Sequence, residues 1–181
     1  MKLYDERYEE IKEEVAELYK ELHITKFPVH AMDVCKELGI NLKTYNCFDD
    51  KTFSLAFRAS EDGIVAKIDN QYYIFYNPSK EAARIRFTIF HEIGHIRLHH
   101  LVEDLENEAE ADFFACYFLA PSPLIHFFEL GDTQSIMDKF WVTFTFAVNA
   151  RERYQKWLQF SGTGFTEYEK TLIRLAKEGI N

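Results

Sequence analysis

Arg84-Ile85-Arg86-Phe87-Thr88-Ile89-Phe90-His91-Glu92-Ile93-Gly94-His95-Ile96 is a helical hydrophobic repeat with polar chemistry set into it. Ile85, Ile89, Ile93 and Ile96 recur at spacings of three and four, as they would along one side of a helix. Ahead of them, Asn77-Pro78-Ser79 offers a cap and a proline for the first turn. On such a helix His91 and His95 stand four apart. Both imidazoles then leave the same face about one turn apart and can grip one metal ion. Glu92 lies between them and next to the metal without having to be a ligand. A general base must sit there to take a proton from water that the metal has activated.

A second helical pattern runs from about Glu103 to Leu119 and stops at Pro121-Ser122-Pro123. It carries Glu108 and Asp112 four apart, so both project from one face. A carboxylate from Glu108 completes a site of two His and one Glu with an open fourth position, which is the arrangement of catalytic rather than structural zinc. Asp112, one turn on, can accept a hydrogen bond from the free N–H of a ligand histidine and fix its tautomer. Glu110 competes for the third-ligand position. It projects about 200° around the helix from Glu108, so only one of the two can face the metal, and the Glu-x-x-x-Asp spacing favours Glu108. His and carboxylate ligands accept Zn2+ and also Mn2+.

These residues also have plainer readings. Glu103, Asp104, Glu106, Glu108 and Glu110 would suit the first half of a helix through its dipole, and that reading fits Glu106 and Glu110 well. His99 and His100 prolong the first helix, where polar side chains suit exposed carbonyls, and they read as structural.

At 181 residues and 47% apolar content, the chain can bury one sizeable core, and no Pro/Gly/Ser-rich linker divides it. A single domain over 1–181 is therefore expected, with an amphipathic helix in 1–24, a metal-bearing core in 25–121 and a helical region in 122–181. The 17 Phe and 10 Tyr supply an aromatic interior. No stretch approaches 18 apolar residues, and the start, Met1-Lys2-Leu3-Tyr4-Asp5, has no apolar signal region, so a cytoplasmic protein is expected. Cys35, Cys47 and Cys116 are odd in number and widely spaced, which fits reduced, mostly buried thiols. A net charge of −9 disfavours nucleic acid and anionic lipid as partners and suits a basic one.

Tyr8, Ile11, Val15, Leu18 and Leu22 mark the N-terminal helix. Asn41–Tyr45, Phe53–Ala59, Ile64–Ile68 and Tyr72–Tyr76 read as short strands, the last two joined as a hairpin through Asp69-Asn70-Gln71. The fold class expected is α+β, mostly helical, with a small antiparallel or mixed sheet of about three strands beside the His-Glu-x-x-His helix. In peptidases of this plan an edge strand beside the metal helix pairs with extended substrate, and Tyr72–Tyr76 is the candidate by position. His126, Tyr72 and Tyr73 are candidate donors to a tetrahedral oxyanion.

The run from Arg84 to His100, with its Arg-x-x-Phe-Thr lead, and the Glu108–Asp112 helix ending in Phe114-Ala115 through Leu119 and Pro121 resemble the signature of the ImmA/IrrE family of bacterial metallopeptidases. Phe27-Pro28-Val29 through Leu38-Gly39-Ile40 resembles that family's early Pro-Val helix. The resemblance implies a minimal gluzincin fold, zinc at His91, His95 and Glu108, and Glu92 as catalytic base. It also implies a protein substrate, in characterised members often a DNA-binding repressor of a mobile element or stress regulon encoded beside the peptidase. With no room for a DNA-binding domain ahead of residue 25, the chain resembles the stand-alone type.

Ile136–Thr143 with Ala147, Val148 and Arg151 resembles the family's helix-turn-helix-like segment, with Met137 and Glu152 where small or apolar residues are usual. From Thr133 to Leu158 there are four Lys/Arg and two Asp/Glu, a net of +2, which supplies few phosphate contacts. Direct nucleic-acid binding is disfavoured, and Phe140, Trp141, Phe144 and Phe146 read as core or partner surface. Two readings compete with the peptidase: a non-proteolytic metal-binding regulator, and a component of a toxin–antitoxin pair. A structural site would normally be closed by four protein ligands, usually with Cys, and no Cys lies near the motif.

Overall fold

The computed structural model describes residues 3–102, 104–160 and 164–180. Helices α1 (Asp5–Glu21) and α2 (Ala31–Glu37) lead to β1 (Asn41–Thr44) and a 3-10 turn at Tyr45–Cys47. Next come α3 (Asp50–Ala59), the strands β2 (Gly63–Ile68) and β3 (Gln71–Tyr76), and α4 (Ala82–Arg97). They are followed by α5 (Leu105–Leu119), α6 (Ser122–Phe127), α7 (Thr133–Phe140), α8 (Phe144–Phe160) and α9 (Glu167–Glu178). The result is a mostly helical α+β fold with one small mixed sheet, the class the sequence implied. Among the described residues no helix is long and apolar enough to cross a membrane.

Packing divides the chain into a unit of residues 30–115 and a unit made of 1–29 with 116–181. In the second of these, α1 packs on α9 and α8 packs on α6 and α7. The stripe expected on α1 is buried at Ile11, Val15 and Leu18, and the Tyr19 hydroxyl donates to the Phe118 carbonyl at 2.7 Å. The prolines expected to stop α5 also start α6, with Pro123 in its first turn. The aromatic run splits: Phe140 is buried, whereas Trp141 and Phe144 are exposed.

The 30–115 unit holds the sheet, whose strand order is β1-β3-β2. β1 runs parallel to β3, with Asn41 opposite Tyr73, and β2 runs antiparallel to it, with Gly63 opposite Tyr76. The hairpin turns through Asp69 and Asn70, both at positive φ, a conformation that Asp and Asn tolerate better than other side chains. Tyr72–Tyr76, expected at the edge of the sheet, is central instead; it pairs on both sides and buries Ile74 and Phe75. The edge nearest α4 is β2, which packs against that helix.

Phe53–Ala59, expected as a strand, is helical. Asp49 caps it by accepting from the Thr52 amide, and Phe53, Ala56 and Phe57 repeat at spacings of three and four, a pattern that outweighs their aromatic β-preference. Ala56 joins Tyr45 and Phe75 in a small core beside the sheet. Cys35 is buried, but Cys47 is exposed, contrary to the expectation of mostly buried thiols.

Gly63 sets the distance between strand and helix. A Cβ there would lie 2.5 Å from the Thr88 methyl and 3.0 Å from the Phe75 carbonyl, so only glycine lets β2 close on α4. Asp62, just ahead, receives the Arg84 guanidinium at 2.6 Å, and that hydrogen bond holds its carboxyl below the usual range. The Arg-x-x-Phe-Thr run therefore fastens the edge strand to α4 from two points. Gly63→Ala is expected to cost about 1–3 kcal/mol through overpacking, seen as a lowered thermal midpoint. An unchanged midpoint would mean that strand and helix are not held at this spacing.

Candidate metal centre

α4 starts at Ala82 with Glu81 as its N-cap, later than the expected Asn77-Pro78-Ser79 cap. Asn77 instead accepts from the Ser79 amide and hydroxyl, forming a local turn ahead of the helix. The helix is buried on more than one side: Thr88, Ile89, Phe90, Glu92, Ile93 and His95 are all enclosed. Gly94 faces α5. A Cβ there would meet Phe114 at 3.1 Å and the Ala111 Cα at 3.2 Å, so glycine lets the carboxylates of α5 approach the histidines of α4. Glu103, where the second helix was expected to begin, lies outside the described residues. Asp104 accepts from the Glu106 and Asn107 amides just ahead of α5.

His91, His95 and Glu108 converge. The two Nε2 atoms are 3.0 Å apart; Glu108 Oε2 lies 3.4 Å from His91 Nε2, and Oε1 lies 3.3 Å from His95 Nε2. One ligand atom from each falls within 4.8 Å of the others, a group that could hold a metal ion. The spacing fits zinc, because bonds of about 2.0–2.1 Å at tetrahedral angles place ligand atoms roughly 3.3 Å apart. The donor chemistry fits too. His91 Nδ1 lies 2.9 Å from Asp112 Oδ1, an acceptor, so Nδ1 carries the proton and Nε2 presents a lone pair to the carboxylate. Lone pairs at this distance repel unless a proton or a metal cation sits among them.

The same charges act on the imidazoles. Burial pushes His91 down, but the hydrogen bond to Asp112 and the charges of Glu92, Asp112 and Glu108 outweigh it and hold the ring above its ordinary value. Burial, with His91 and His100 adding to it, pushes His95 down to about 4. His95 is therefore neutral at neutral pH, the form that ligates metal.

Glu92 is buried and lines a cleft of about 500 Å³ together with His91, His95 and Glu108. Gly63, Ile64 and Val65 of the edge strand also line it, as do Leu101, Val102 and Leu105. Those last three are largely exposed apolar side chains, Leu101 at 95%. Tyr72 and Tyr73 do not line the cleft; the Tyr73 ring stacks on Phe75 and Lys67 lies over Tyr72. His126 belongs to the other unit, where its Nδ1 meets the Tyr154 hydroxyl at 3.1 Å.

Two residues read as surface or structural lie against the site. Glu110 is buried at 5% exposure, not part of a solvated acidic face, and its Oε2 is 3.0 Å from His100 Nε2. His100 Nδ1 is in turn 2.9 Å from His95 Nδ1. Glu110 thus points to His100, while Glu108 reaches the paired Nε2 atoms. His100 does not prolong α4, which ends at Arg97. No spacing rule for helices reveals its position, since it depends on how the chain turns after the helix.

Two helices that bring His91, His95 and Glu108 together, a glutamate next to the first histidine and an edge strand along the cleft make up a candidate metal site. The sequence profile of the IrrE N-terminal-like domain, peptidase M78, matches residues 35–150, well over half of the chain, and the chain belongs to that family. A search of curated proteins found no match.

Proposed function

We propose that the chain is a zinc-dependent endopeptidase that cuts an extended segment of a protein regulator, such as a DNA-binding repressor of a mobile element or stress response. The observation that carries this reading is the convergence of His91, His95 and Glu108 at 3.0–3.4 Å beside the buried Glu92, in a cleft bordered by an unpaired sheet edge. His91, His95 and Glu108 would hold the metal, with Asp112 orienting His91. A bound zinc ion supplies Lewis acidity, which polarises the scissile carbonyl and makes water more acidic. Glu92 takes a proton from the attacking water as the O–C bond forms, then passes it to the leaving nitrogen as the C–N bond breaks. β2 offers main-chain groups to an extended peptide, and Leu101, Val102 and Leu105, which also line the cleft, give it an apolar character that suits apolar substrate side chains.

The test is to incubate zinc-loaded protein with the regulator encoded beside its gene and to map fragments by mass spectrometry. A single cut, absent in the Glu92→Gln variant, is the expected result. An intact regulator that co-purifies with the chain would overturn the peptidase reading in favour of partner capture.

A further inference from the structure

α4 ends in a turn that aims a side chain back at the metal centre. His99 adopts φ 58°, its amide donates to Ile96 at 3.3 Å, and the His100 amide donates to the His95 carbonyl at 3.0 Å. These are the two reversed hydrogen bonds of a Schellman ending, in which the residue after the helix turns left-handed and the next folds back over the last turn. Here the residue folded back is His100, and its ring stands edge-on to His95 with centroids 5.0 Å apart. The His100 and Glu110 side chains are 5% and 7% exposed.

We infer that His100 and Glu110 are positioning residues for the metal centre, a buried pair that fixes the tautomer and orientation of His95. The proton order follows from donor and acceptor rules. The Glu110 carboxylate oxygen is the acceptor at 3.0 Å, so His100 Nε2 carries a proton and donates to it. With the His100 proton on Nε2, its Nδ1 is the acceptor, and the nitrogen facing it at 2.9 Å, His95 Nδ1, is the donor. His95 is left with its lone pair on Nε2, facing His91 Nε2 and Glu108. Asp112 does the same for His91 directly. Each ligand histidine thus ends on a carboxylate, one in a single step and the other through an intervening imidazole. Such partners raise ligand basicity, and losing one typically weakens metal binding roughly 10–100-fold.

This inference rests on the reading of His91, His95 and Glu108 as metal ligands, so its test reads metal binding and proton position rather than cleavage. His100→Phe keeps the ring volume and removes both hydrogen bonds; His100→Gln keeps one acceptor and one donor. Zinc affinity, measured by competition with a chelator, should fall roughly 10–100-fold in His100→Phe and be largely restored in His100→Gln. His100→Phe also takes a hydrogen bond from the buried Glu110 and is expected to lower the thermal midpoint of the metal-free protein more than His100→Gln does, so affinities are compared at a temperature where all three chains are folded. Zinc affinity in His100→Phe equal to that of the unmodified chain would overturn the inference. An independent readout needs no variant: in nitrogen-15 spectra of the zinc-loaded protein, His95 should carry its proton on Nδ1 and His100 on Nε2. The opposite tautomers would also overturn it. Zinc binding that responds in this way, in a chain that cuts nothing, would support the positioning role and end the peptidase reading. A chain with no zinc affinity would end both.

Discussion

Glu92→Gln is expected to leave zinc affinity unchanged and to slow peptide-bond cleavage by about a hundredfold to ten-thousandfold, the range typical of a lost general base. The amide is nearly isosteric with the carboxylate, so the packing around this 6%-exposed side chain should survive. What changes is proton affinity, because an amide oxygen cannot take the proton from water or hold it for the leaving nitrogen. Zinc affinity and cleavage rate should be measured on the same preparation. A variant that keeps the metal and cuts at the normal rate would remove Glu92 from the chemistry. One that loses both would instead make it part of the metal-binding set.

Glu108→Ala is expected to have the opposite signature, losing the metal first and activity as a consequence. If zinc binding by four protein ligands is worth about 10–16 kcal/mol, one ligand accounts for roughly 2.5–4 kcal/mol, a fall in affinity on the order of 100-fold to several hundredfold. Chelator competition would read it directly. Glu108 lies 3.3 and 3.4 Å from the two Nε2 atoms, whereas Glu110 reaches His100 instead. Unchanged affinity in Glu108→Ala would place the third ligand elsewhere.

The parts of the molecule legible in the sequence are those governed by local periodicity. His91, Glu92 and His95 share a helix, and Glu108 and Asp112 share another, so a spacing of four places each pair on one face. The structure then adds that the two faces meet. Gly94, unremarkable as a spacer in the motif, is what lets them meet, through its close approach to Ala111 and Phe114. Strand position is different in kind. Nothing in Gln71–Tyr76 states that it pairs on both sides, and its apolar, aromatic composition suits an edge or a centre equally. In the helix at Asp50–Ala59 the aromatic β-preference of Phe53 and Phe57 masks the helical pattern, whose local signal is the Asp49 cap. His100 was hidden for a third reason: its role depends on a left-handed residue at His99, a conformation that histidine adopts only where the surrounding turn demands it. Tertiary pairing, capping and chain reversal each carried information that periodicity could not.

The most direct measurement is the zinc K-edge X-ray absorption spectrum of the zinc-loaded protein, beside its His95→Ala variant. Two imidazole nitrogens with carboxylate and water oxygens, all at about 2.0–2.1 Å, are expected in the unmodified chain, with one imidazole fewer in the variant. A sulfur shell at about 2.3 Å, or an imidazole count unaffected by His95→Ala, would contradict the metal centre described for His91, His95 and Glu108.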